Sequence, residues 1–141
     1  MRCMVLIKAS PQSEAGEMPS EALLTAMGQF NQALFDAGVL VDGGGLKATS
    51  VAARVRMSDA GTQVEQGPFL PCNEQVAGYW LWQVASLDEA IEWARRCPLP
   101  MPDEATLEIR PLNEMEDFAT ASDEVREQEQ QLAARLAEVA R

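Results

Sequence analysis

The feature that most constrains this fold is the segment at residues 2–8, whose side chains are apolar on both faces of a strand. Cys3, Val5 and Ile7 share one side, and Met4 and Leu6 share the other. A strand buried on both faces needs a helix layer on one side and a second cover on the other. In a chain of 141 residues, long enough for one domain, that second cover points to another subunit.

The elements around this strand alternate. Residues 20–37 predict a helix, with Ser20 as N-cap, Leu23, Met27, Phe30 and Leu34 on one face, and Gly38 at the C′ position. Val39-Leu40-Val41 begins a second strand, which Gly43-Gly44-Gly45 is expected to break. Val51, Ala53, Val55 and Met57 alternate with Arg54 and Arg56 in a third strand, and Asp59-Ala60-Gly61 turns into a short strand near Gln63-Val64-Glu65. In residues 77–84, Trp80, Trp82 and Val84 oppose Tyr79, Leu81 and Gln83. A second helix over 87–96 opens on the capping box Ser86-x-x-Glu89 and is stopped by Pro98. Leu107 and Ile109 alternate with Glu108 and Arg110 in a last strand ending at Pro111.

The order β-α-β-β-β-α-β is an α+β pattern, the split βαβ of a ferredoxin-like sheet. The sheet face turned away from the helices reads as partly apolar and rich in tryptophan, which favours face-to-face pairing of two copies. The domain is expected to occupy residues 1–112, followed over 113–141 by an acidic linker and an amphipathic helix striped with Val125, Leu132, Leu136 and Val139. That extension holds eight acidic residues and three arginines, a net five of the chain's eleven negative charges.

Composition excludes several chemistries. A net charge of −11 repels phosphate backbones, so nucleic acid is not an expected partner. The absence of histidine removes Ser-His-Asp and Cys-His catalysis, His-ligated metals and imidazole acid–base chemistry. Cys3, Cys72 and Cys97 form no C-x-x-C pair, so neither a disulfide framework nor a thiolate metal site is suggested. The apolar N-terminal run is too short for a signal peptide or a membrane span. The chain reads as cytoplasmic, with reduced thiols and no implied cofactor.

Gly43-Gly44-Gly45 reads as a bulge or tight hairpin rather than a phosphate loop, because no helix follows it. The densest candidate site is Gln66–Glu74, a loop stiffened by Pro68 and Pro71 that carries Gln66, Cys72, Asn73 and Glu74. The alternative reading of the same loop is a rigid connection whose Phe69 plugs the core. Arg54 and Arg56, with Arg110 if the three share a face, would bind a small carboxylate or else form surface ion pairs, Arg110 with Glu108. Tyr79 and the tryptophans line either an aromatic pocket or a subunit interface, and interface is the expectation.

Several segments together resemble the YCII-related family, in the branch named for a DGPF motif. They are Met4-Val5-Leu6-Ile7-Lys8-Ala9-Ser10, Met18-Pro19-Ser20-Glu21, Gly43-x-Gly45-Leu46, Gly67-Pro68-Phe69, Gly78-Tyr79-Trp80-Leu81-Trp82 and Glu89-Ala90-Ile91-Glu92-Trp93. The resemblance extends through Glu108-Ile109-Arg110 to Glu116-Asp117-Phe118 and implies a dimeric α+β barrel of two ferredoxin-like sheets. Some members resemble small enzymes acting on organic acids or ring compounds, and others are linked by association with alternative sigma factors. One branch carries a His/Asp pair proposed as catalytic. Here the motif's leading Asp is Gln66, the following cluster is Pro71, Cys72 and Asn73 with only Glu74 remaining, and the His has no counterpart.

The resulting expectation is a homodimer, joined through the sheet face and C-terminal helix, that binds a small anionic or aromatic ligand near residues 66–74. Glu74, poised by burial, would be its acid or base, with Arg54 or Arg56 holding an anion and Gln66, Phe69, Cys72, Asn73 and Tyr79 around the ligand. The rival expectation is a non-enzymatic regulatory partner acting through the acidic tail.

Overall fold

A computed structural model describes residues 1–140 of the chain. Six strands and four helices follow in the order β1 (Arg2–Lys8), α1 (Pro11–Glu14), α2 (Glu21–Asp36), β2 (Leu40–Gly45), β3 (Ala53–Ser58), β4 (Gly61–Gln66), β5 (Val76–Gln83), α3 (Leu87–Arg95), β6 (Leu107–Pro111) and α4 (Asp123–Val139). They fall into two compact units, Met1–Pro111 and a second that begins at Leu112.

In the first unit, β2-β5-β1-β6 form one antiparallel sheet. β1 and β2 both run antiparallel to β5 and hence parallel to each other. β5 and β6 are related in the same way through β1. Each pair is joined by a helix, α2 or α3, as in a ferredoxin-like split βαβ. β3 and β4 pair only with each other, as a separate hairpin turning at Gly61, where φ is +119°.

Helix boundaries follow local chemistry. Ser20 Oγ accepts from Leu23 N at 3.1 Å, and Gly38, at φ +71°, ends α2 in the left-handed conformation that a Cβ disfavours. At α3, Ser86 Oγ accepts from Glu89 N, while the Glu89 carboxylate reaches back to Ala85 N rather than to the cap itself.

The core lies between the sheet and the helices. Cys3, Val5, Trp80, Trp82 and Val84 meet Phe30 and Leu34 of α2 and Ala90 of α3. Phe30 stands edge-on to both indoles, with centroids at 5.7 and 6.4 Å. The tryptophans therefore face the helices. The expected tryptophan-rich outer face is instead built from Met4, Leu6, Tyr79 and Leu81, all half-buried.

The three glycines also depart from expectation. They continue β2 opposite Trp80, Tyr79 and Gly78, and the register shift falls upstream, between Leu40 and Asp42. A glycine run is a poor strand in isolation. Here one side of it is fixed by β5, and close approach is required: a Cβ on Gly43 would sit 2.9 Å from Trp80 Cδ1.

The second unit is a short turn at Met115–Asp117 followed by α4, capped by Ser122. Arg126 ties the two together, donating to the carbonyls of Met115 and Phe118 at 2.9 Å each.

Candidate functional site

The Gln66–Glu74 loop is a packed connection. Phe69 is 5% exposed, its N–H donates to Thr49 Oγ1 at 2.9 Å, and the Thr49 hydroxyl donates to the Glu14 carboxylate, which also accepts from Thr49 N at 3.2 Å. Arg54 lies over the Phe69 ring at 3.8 Å and donates to Gln75 Oε1 at 3.2 Å; Gln75 in turn donates to Pro71 O. The Phe69 ring plugs the interior side of the loop. Arg54 is committed to this cluster, and Arg56 is paired with Glu65 across the hairpin at 3.2 Å. Arg110 lies in the other sheet and pairs with Glu108 at 3.4 Å, so the three arginines share no face. Gln66 is exposed at the end of β4, opposite Ala53.

The burial expected to poise Glu74 is absent, since its side chain is 67% exposed. Glu74 and Asn73 instead line a polar cleft of about 490 Å³ with Lys8, Ser10, Gln12, Asp103, Glu104 and Glu108. A register shift between Ile7 and Lys8 brings Lys8 to this cleft. There it donates to Glu74 O at 3.2 Å and stands 3.9 Å from Glu74 Oε2. One lysine faces four carboxylates, so the cleft carries an excess of negative charge. Lys8 was missed as a site residue, although its position as the first charge after a two-faced strand marks it.

Burial disfavours the thiolate at two of the three cysteines. Burial pushes Cys97 up to about 11, and its Sγ lies 3.2 Å from Pro98 O. Burial also raises Cys3, opposed by the nearby terminal amine. Cys72 is half-buried in a short turn over Cys72–Glu74. No group of three or more potential metal ligands occurs among the described residues.

A second cavity, of about 650 Å³, runs between α2 and the free edge of β2. Leu23, Met27 and Asn31 of α2 form one wall and Gly43–Gly45 the other, with Ile7, Trp80 and Met101 among the remaining lining residues. Tyr79 borders it through its place in β5, while its ring lies beside Gly44 on the opposite face of the sheet. Because the strand carries no side chains here, the groove stays open beside its backbone. Asn31 Oδ1 accepts from Trp80 Nε1 at 2.8 Å, which orients the amide. Asp42 is the sole charged residue of the lining, and its carboxylate accepts from Gly43 N at 2.8 Å. No run of sequence signals this groove, because its walls come from residues 7 to 101.

Residues 1–116 match the model of the YCII-related domain. The chain belongs to the YCII-related family. A relative from Rhizobium meliloti (strain 1021), "Uncharacterized protein R00369", is 35% identical over 92 residues, covering 65% of this chain and 74% of that protein. The family match over residues 1–116 includes the residues of both the polar cleft and the apolar groove of this YCII-related chain. Among the described residues, no helix is long and apolar enough to cross a membrane.

Proposed function

We propose that this YCII-related protein binds its ligand rather than converting it, seating an apolar group of small-molecule size in the groove between α2 and β2. The observation that carries this reading is the groove itself. At about 650 Å³ it falls within the usual range of ligand sites, and its lining is mostly apolar with a few polar groups. Asn31, oriented by Trp80, supplies a hydrogen bond to the ligand. The one charged side chain of the lining, Asp42, accepts from Gly43 N–H. No nucleophile–base pair is assembled there.

The test uses 1-anilinonaphthalene-8-sulfonate as probe. Wild-type protein is expected to enhance its emission with one saturable site per chain. Gly45→Leu fills the groove: Gly45 lies two residues from Gly43 on the same strand face, and a Cβ there meets nothing within 4 Å. This variant should keep the wild-type circular dichroism and thermal midpoint while weakening the probe by at least about tenfold, equivalent to about 1.4 kcal/mol. Undiminished binding by a folded Gly45→Leu protein refutes the assignment.

The reading includes a homodimer through the outer sheet face. Its support is the apolar set Met4, Leu6, Tyr79 and Leu81 on a face that no helix of the first unit covers. Sedimentation velocity at micromolar concentration should give a dimer, and Leu6→Lys should give a folded monomer. A monomeric wild-type chain removes this part of the reading.

A further inference from the structure

The groove borders an open strand edge, and the backbone there specifies what kind of ligand it suits. In an antiparallel ladder, hydrogen-bonded residue pairs alternate with pairs whose backbone groups point away. Leu46 N donates to Ala77 O at 2.8 Å, which sets the phase at this end of β2. Gly44–Tyr79 and Asp42–Leu81 then close the ladder, and Gly43 and Gly45 turn their N–H and C=O groups outward. Asp42 takes the Gly43 N–H. The Gly45 N–H and the carbonyls of Gly43 and Gly45 are left facing the free edge.

Proteins ordinarily blunt such an edge with lysine, proline, a bulge or a cover. The bulge at Val41 lies upstream of the glycines, and the three glycines place no side chain between the edge and an approaching backbone. Exposed apolar side chains gather at the same place: Leu24, Phe35 and Val41 all line the groove and are each more than half exposed. The charge at the edge is that of Asp42, in a chain of net −11, and α2 carries Glu21 and Asp36 with no basic residue.

We infer that the β2 edge accepts an extended polypeptide segment as a fifth strand. Its main chain would bond Gly43 and Gly45, alternate apolar side chains would enter the groove beside α2, and a Lys or Arg would meet Asp42. The partner is thus a peptide of alternating apolar and basic character, about five residues of it in contact. The inference rests on the groove being the binding site and adds that the apolar group is presented from a peptide backbone.

The test is selection of a random dodecapeptide library on the full-length protein, followed by synthesis of the enriched peptides. These should alternate apolar with basic residues, displace the anilinonaphthalene probe and slow exchange of the Gly45 amide by at least about tenfold. Methylating alternate backbone nitrogens of the peptide, or Gly45→Leu in the protein, should each weaken binding by at least about tenfold. The inference is overturned by a selection that enriches nothing or by peptides indifferent to backbone methylation. A Gly45 amide already protected in the free protein, in proportion to its concentration, overturns it too, because a second copy then occupies the edge. If the probe still binds and responds to Gly45→Leu while peptides fail, only the peptide inference falls. If the probe fails too, the binding-site reading falls with it.

Discussion

Gly67→Ala is expected to destabilise the first unit by at least about 3 kcal/mol, seen as a large drop in the urea midpoint. A Cβ at this position would lie 1.6 Å from the Thr49 carbonyl oxygen and 2.7 Å from its carbon. The obstacle is backbone, so no side-chain rotation relieves it. Nor is Thr49 free to retreat: its hydroxyl bridges Phe69 N and the Glu14 carboxylate, and Gly67 N is itself bonded to Ala52 O at 2.9 Å. Accommodating a methyl group means lifting the loop off residues 49–52. That sacrifices hydrogen bonds worth about 1 kcal/mol each. It also costs much of the Phe69 burial, worth about 1.5–3 kcal/mol. An alanine variant with a wild-type midpoint would show that the loop is not held in this way.

The same cluster bears on the two readings of the loop, a binding site or a rigid connection. Proline stiffening and a density of functional groups were legible in Gln66–Glu74, and so was the alternative of a Phe69 plug. What decides between them is Arg54 over the Phe69 ring and Thr49 under its N–H, contacts made across 15 and 20 residues. No local pattern contains them. Arg54 looked like an anion site only while its partner was unknown.

Other features were legible because their causes are local. The caps Ser20 and Ser86, the stop at Gly38 and the two-faced β1 each follow from short-range chemistry. The glycines of β2 carry no side-chain period, so their strand character comes wholly from pairing with β5. Alternation in β5 correctly separated Trp80 and Trp82 from Tyr79. Which set faces the helices depends on Phe30, 50 residues away from Trp80. The groove and the Lys8–Glu74 cleft are likewise products of the fold, each assembled from segments that share no motif.

Trp82 provides the second large expected effect. Its side chain is wholly buried, packed against Trp80 at 5.7 Å and edge-on to Phe30 at 6.4 Å. Trp82→Ala should cost about 3–5 kcal/mol, from lost transfer energy plus the cavity left behind. Trp82→Phe should behave very differently. The indole Nε1 is buried without a hydrogen-bond partner among the described residues, and leaving such a donor unpaired costs about 1–3 kcal/mol. Phenylalanine removes that donor while keeping an aromatic ring against Phe30. The relief opposes the gap left by the smaller ring, so this variant should fall within about 1.5 kcal/mol of wild type. Urea midpoints of the two variants measured side by side check the argument. A Trp82→Phe loss as large as that of Trp82→Ala would mean that the indole N–H is bonded in solution, and that the core spends no stability on an orphan donor.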